Sequence, residues 1–199
     1  MRVAKTTSPV RVFRSRRAAM RPARSRKRVS ATRESVIRAA SAADVHAIHR
    51  LIQTHVADGH LLPRQRDEIA AHISRFVVAV QGRRVVACAD LAPLSRGVAE
   101  VRSLVVDDSV RSRGVGRQLV DELASRAAET GFDTLCAFTH LAGYFVRMGF
   151  SIVPHTWLPE KIDADCRSCA HFRTCGQYAV MLPLVRAQQP CVPLTSLHA

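Results

Sequence analysis

The chain has 199 residues, 47% of them hydrophobic, and 30 Lys+Arg against 16 Asp+Glu, for a formal net charge of +14. This size and apolar fraction suit one globular domain with an appendage and exclude wholesale disorder. The longest uncharged apolar runs are short, such as Phe76 to Val80, well under the ~20 residues of a membrane span. The N-terminus also lacks the apolar stretch of about 7–15 residues of a secretory signal, so a cytoplasmic protein with no membrane partner is expected.

Residues 1–34 carry 12 Lys/Arg and one acid, Glu34, and hold +11 of the total charge. They have few apolar residues and no helical or strand period, which predicts a disordered basic arm. The arm reads first as a passive solvated tail or start-codon extension, second as a non-specific phosphate binder for nucleic acid or ribosomes, and last as an organelle transit peptide, whose composition it has without a clean amphipathic face. Residues 35–185 read as the folded domain and 186–199 as a C-terminal tail.

Within the domain, 35–39 is a strand. Ser41 three residues before Asp44 opens a helix over 42–57, with Val45, Ile48, Ile52 and Val56 on one face, ending near Gly59. A second short helix follows Pro63 over 64–73. Phe76–Val80 and Arg84–Leu91 are strands joined at Gly82, and 98–106 is another. A helix over 115–130 buries Val115, Leu119, Leu123 and Ala127 and stops at Gly131. A strand over 133–139, a helix over 141–148 and a last strand over Tyr178–Val185 complete an α/β (α+β) domain, a mixed central sheet flanked by helices.

Of the six cysteines, Cys88 and Cys136 lie in apolar runs and read as reduced core residues, and Cys191 lies near the C-terminus. Cys166, Cys169 and Cys175 form C-x2-C-x5-C with His171 inside. That element reads either as a Cys3His zinc site or as a reduced loop.

The strongest chemical signal is Arg111-Ser112-Arg113-Gly114-Val115-Gly116-Arg117, between a strand and a helix. Two glycines allow close backbone approach, the first-turn N–H groups and the macrodipole attract an anion, and three arginines add charge. A diphosphate fits such a turn. The segment is neither a Walker loop nor a Rossmann G-x-G-x-x-G, since Leu119 stands at the third glycine.

A strand ending in LVVDD, then R-S-R-G-V-G-R, then an amphipathic helix resembles the acetyl-CoA-binding segment of the GNAT N-acetyltransferases, whose [QR]-x-x-G-x-[GA] is matched by Arg111, Gly114 and Gly116. Gly149-Phe150 and the preceding strand and helix resemble a second family segment. HLLPRQRDEI, AEVRSLVVD and LPEKIDADCRSCAHFRTC are similar to the short, stand-alone enzymes of the N-acetylglutamate synthase group. The resemblance implies the GNAT fold over about 35–185, acetyl-CoA as co-substrate and no metal. It also implies acetyl transfer to the α-amine of glutamate, the opening step of arginine biosynthesis. No amino-acid kinase domain precedes the segment, so arginine feedback through one is not expected.

Acetyl transfer from a thioester to an amine needs a pyrophosphate cradle, a donor for the developing oxyanion, a base for the ammonium and an acid for the thiolate. The resemblance assigns the cradle to residues 111–117 and the oxyanion donor to the backbone around Leu104, Val105 and Val106. Glu100 and Arg102 are two apart on one strand and share a face. Arg102 suits a substrate carboxylate and Glu100 the amine proton, or the two form a plain surface salt pair. Arg64 and Ser103 are further substrate-binding candidates. Many family members carry Tyr in Y-x-x-x-G-F. Here Phe145 holds that position and Tyr144, one residue earlier, is the candidate acid. Thr139 is a candidate for the pantetheine or the substrate, and His140 for an acid or base. Competing readings are another amine acceptor (glutamine, a polyamine or a protein N-terminus) and a nucleic-acid-associated protein using the fold as scaffold. Nucleic-acid contact through residues 1–34 and a homodimer are open partner readings.

Overall fold

The structure, a computed structural model, describes residues 34–56 and 61–184. The basic arm up to residue 33, the helix stop near Gly59, Val185, Cys191 and the C-terminal tail lie outside the described residues. In chain order the elements are β1 (Val36–Ala39), α1 (Val45–Val56), α2 (Arg66–Ala71), β2 (Phe76–Gln81), β3 (Arg84–Pro93) and β4 (Val98–Val106). They continue with α3 (Val115–Thr130), β5 (Thr134–Thr139), α4 (Ala142–Val146), β6 (Ser151–Val153), α5 (Pro159–Lys161) and β7 (Tyr178–Pro183). These strands form one sheet in the order β1-β2-β3-β4-β5-β7-β6. Every pair is antiparallel except β4–β5.

The central strands are buried on both faces, which is why Phe76–Val80 is a continuous apolar run rather than an alternating one. Phe76, Val78, Val80 and Cys88 pack with Ile48, Leu51 and Ile52 of α1 and Ile69 of α2. Val77, Ala79, Ala87 and Ala89 pack on the opposite face with Val115, Leu119, Leu123 and Ala127 of α3. Each fully buried Leu or Ile contributes roughly 1.5–3 kcal/mol over an exposed one. Both helix faces are those expected from the apolar spacing. Gly131 closes α3 at φ 95°, a left-handed conformation that suits glycine. At the start of α1 the Ser41 N–H donates to Asp44 Oδ2 at 2.8 Å. Both guanidinium Nη atoms of Arg38 donate to the same carboxylate, at 2.7 and 2.8 Å. No helix among the described residues is long and apolar enough to cross a membrane.

Two irregularities shape the sheet around β4. The parallel ladder to β5 covers only Val98–Glu100 against Thr134–Cys136, although β4 continues to Val106 and β5 to Thr139. The two strands therefore part company halfway. In addition, Cys88 pairs with Val105 and Asp90 with Arg102, so Ala89 alone faces Ser103 and Leu104. This is a β-bulge, and Ser103 sits at φ 50°, which few non-glycine residues adopt.

The expected elements are present with ends shifted by a few residues. Two further pieces lie where no strong pattern predicts them. β6 has only three residues, too few to display a period. α5 runs into a wider π-helical turn over Ile162–Cys166, a local widening often found at functional sites.

Candidate active site

The glycine turn joins the end of β4 to α3. Gly114, the residue before the helix, has φ 78°, and Ser112 is also left-handed at φ 62°. This chain path leaves the first N–H groups of α3 at the helix mouth, while Val115 and Gly116 are buried. The arginines are exposed around it. Arg111 pairs with Asp108 at 2.8 Å and donates from Nε to Val106 O at 3.2 Å. Arg117 lies 3.5 Å from Asp121, and Arg113 is exposed. Backbone donors, dipole and cations thus coincide, as anion binding requires.

Beside this mouth β4 has lost β5 as a partner. The Asp107 N–H donates to Val86 O on β3 at 2.9 Å. By alternation, the N–H groups of Leu104 and Val106 point to the opposite side, into the opening between β4 and β5. Val105, between them, buries its side chain with Cys88. The opening therefore offers backbone donors to a developing oxyanion.

Tyr144 closes the third side. A Cβ built on Gly116 would lie 2.5 Å from the Tyr144 hydroxyl and 3.3 Å from Val106 Cγ2, so only glycine accommodates this approach. Burial chiefly, with Asp121 adding, raises the phenol above its ordinary pKa and keeps it a proton donor. The neighbouring Phe145 turns inward and packs edge-on to Phe150, at 5.2 Å between ring centroids. The one-residue offset therefore sends Phe145 to the core and Tyr144 to the glycine turn. Thr139, at the end of β5, accepts the Leu141 N–H at 2.9 Å through its hydroxyl and so shapes the entry to α4.

On the other face of β4, Glu100 and Arg102 are brought together as their spacing predicts, with two partners that sequence reasoning missed. Arg102 Nε donates to Glu100 Oε2 at 2.5 Å. Lys161 Nζ lies 2.8 Å from that oxygen and 2.8 Å from Asp165 Oδ2. Arg102 Nη2 donates to the same Asp165 oxygen. The result is a closed square of two cations and two anions. Burial opposes the charge on Arg102, but Glu100 and Asp165 outweigh it and raise its pKa. Burial likewise opposes ionisation of Asp165, but Lys161, then Arg102 and Arg64, hold its carboxyl below the usual range. The Lys161 ammonium also lies 5.3 Å from the centroid of the Phe138 ring. The signal for these two partners was the i, i+4 pair Lys161/Asp165 inside LPEKIDADC.

Arg64 packs over the same face, pairs with Glu68 and lines a small cavity with Ile69, His72, Phe76 and Asp90. Asp90, opposite Arg102 in the ladder, is 6% exposed, and its Oδ1 has no hydrogen-bond partner among the described residues. Burial pushes its carboxyl up to about 6 despite Arg64, Arg75, Arg102 and His72 nearby. A lone acid in the apolar run VVACADL was its sequence signal. Ser103 is buried at the bulge, and its carbonyl accepts from the Cys88 thiol at 3.7 Å.

Cys88 and Cys136 are buried, as expected, and burial pushes both thiols up to about 12. Cys166 and Cys169 are partly exposed and Cys175 is exposed. Among the described residues no three His, Cys, Asp or Glu side chains are grouped as metal ligands.

The family model of the acetyltransferase (GNAT) domain matches residues 72–152. The chain is 32% identical over 151 residues to an uncharacterized N-acetyltransferase of Chlorobaculum tepidum, covering 76% of this chain and 97% of that protein. It is 33% identical over 125 residues to an amino-acid acetyltransferase of Pseudomonas putida, covering 62% of this chain and 29% of that protein. In structure it is similar to the N-acetylglutamate synthase from Neisseria gonorrhoeae complexed with coenzyme A and N-acetyl-glutamate. The TM-score is 0.70 at 26% identity, over 77% of this chain and 36% of that one. The chain thus spans nearly the whole of the first relative and about a third of the other two.

Proposed function

The chain belongs to the GNAT family of N-acetyltransferases, and on that premise we propose that its acceptor is the α-amine of L-glutamate, the opening step of arginine biosynthesis in the cytoplasm. The enzyme is an acetyl-CoA-dependent N-acetyltransferase of GNAT type. The observation that carries the acceptor assignment is the convergence of Arg64, Arg102 and Lys161 on the face of β4 beside the Leu104–Val106 opening. A dicarboxylic amino acid needs such cations around one reactive amine.

In this reading the helix mouth at Gly114–Arg117, with Arg111, Ser112 and Arg113, receives the pyrophosphate, and Thr139 borders the pantetheine. Arg64, Arg102 and Ser103 orient the acceptor. Glu100 takes one ammonium proton, directly or through water. The neutral amine then adds to the thioester carbonyl, and the oxyanion accepts the Leu104 and Val106 N–H groups, with the Val105 peptide between them. Collapse breaks the C–S bond, Tyr144 gives its proton to the departing thiolate, and the second proton of the acylated nitrogen passes to water, from which the phenolate is reprotonated. The products are the N-acetyl amino acid and CoA.

A second reading, a cationic amine acceptor such as a polyamine, draws on Glu100, Asp90 and Asp165 around Arg102. The test is release of free CoA thiol from acetyl-CoA with each amino acid and with spermidine. Glutamate with the highest kcat/KM supports the proposal. A preference for the polyamine overturns the acceptor and leaves the acetyltransferase.

A further inference from the structure

We propose that Arg102 and Lys161 form the subsite for a carboxylate of the acceptor, and that Asp165 occupies this subsite until the acceptor displaces it. This rests on the dicarboxylic acceptor proposed above and adds to it an internal competitor.

The four side chains differ in how firmly they are held. Glu100 is 4% exposed, Lys161 13%, Arg102 19% and Asp165 39%. Glu100 belongs to the central strand β4 and anchors both cations from below. Asp165 sits on the π-helical turn after α5, outside the sheet, and is the corner most open to solvent. A single oxygen of Asp165 accepts from both Arg102 Nη2 and Lys161 Nζ. A carboxylate arriving from solvent would need these same two donors.

Exchange of one carboxylate for another keeps both cations paired throughout. Stripping Asp165 away without replacement leaves two partly buried cations short of an anion, which is costly. An acceptor with a second carboxylate can therefore open the contact, whereas a neutral or cationic side chain has nothing to offer the cations and leaves it shut. The contact thus excludes the wrong acceptor as well as holding the right one. Arg102 alone would not discriminate in this way, because its Nε is committed to Glu100. Lys161 supplies the second donor and is itself confined by Phe138.

The test uses the full chain with glutamate as acceptor and glutarate, a dicarboxylate without an amine, as a binding probe read by calorimetry. Asp165→Asn keeps the shape and removes the competing charge. It should lower the KM for glutamate and the Kd for glutarate by roughly 3- to 10-fold, with the thermal midpoint recorded to confirm folding. Lys161→Met should raise both by about tenfold or more, the range of a lost charge-assisted contact. An Asp165→Asn protein with unchanged or weaker glutarate binding overturns the proposal, as does a folded Lys161→Met protein that binds glutarate normally. If glutamate is not acetylated but glutarate binds tighter to Asp165→Asn, the acceptor assignment fails and the displaceable contact stands.

Discussion

Gly116 and Tyr144 form one device, because the hydroxyl rests where a Cβ at 116 would be. Gly116→Val should expel the Tyr144 ring, narrow the helix mouth and weaken acetyl-CoA binding by about tenfold or more, read by calorimetry on a protein whose melting shows it folded. Tyr144→Phe should leave that affinity in place and lower kcat by about 10²-fold, the usual scale for a lost general acid. Arg102→Ala removes a charge-assisted contact worth roughly 1.5–3 kcal/mol, and should lower kcat/KM for glutamate by about 10- to 150-fold, chiefly through KM. Asp90 carries a cost of its own. Its carboxyl titrates at about 6 in the fold and near 3.9 in the unfolded chain, a gap of about 3 kcal/mol. The folded state holds this proton more tightly, so Asp90 favours folding below about pH 4, and that contribution is lost as pH rises through 6. Asp90→Asn, which stays neutral, should therefore gain thermal stability over the parent at pH 8 more than at pH 5. Equal gains at both pH values contradict a carboxyl raised by burial.

At the level of elements, β4 does most to build the site. Its first three residues, Val98–Glu100, pair with β5, Glu100 and Arg102 share one face, and the bulge at Ser103 re-aims the remainder toward the glycine turn. A regular strand here would stay laddered to β5 and present no open N–H groups. The start of α1 shows how local sequence fixes an element end. Asp44 accepts from the Ser41 N–H and from both Nη atoms of Arg38, and Arg38 first, then Ser41, hold its carboxyl well below the usual range although burial opposes this. Asp44→Ala should destabilise the fold by about 1–2 kcal/mol at pH 7, the scale of a lost cap. Because the folded pKa is depressed, the contribution is complete above the unfolded value near 4 and disappears as pH falls through the folded one. The difference in melting between Asp44→Ala and the parent should therefore shrink in acid.

For the whole molecule, residues 1–34 hold +11 of the +14 formal charge, and the stretch that matches the acetyltransferase family, 72–152, lies outside them. A chain starting at residue 35 should fold and keep its kcat/KM, while any salt-sensitive retention on RNA or DNA should go with the arm. Loss of activity in a folded truncated chain contradicts a passive arm. The amino-acid sequence by itself determined what depends on neighbours along the chain. The faces of α1 and α3 follow from apolar spacing, the left-handed turn before α3 from two glycines between a strand and a helix, and the shared face of Glu100 and Arg102 from the two-residue strand repeat. Tertiary structure decided what depends on residues remote in sequence. Lys161 and Asp165 meet Glu100 and Arg102 across some sixty positions. Asp90 acquires its perturbed carboxyl only when β3 is covered by α2. Tyr144 reaches Gly116 only because Phe145 is drawn into the core. The physical reason is common to all three: a short-range pattern sets which way a side chain leaves the backbone, but charge pairing and desolvation are set by whatever the fold brings opposite it.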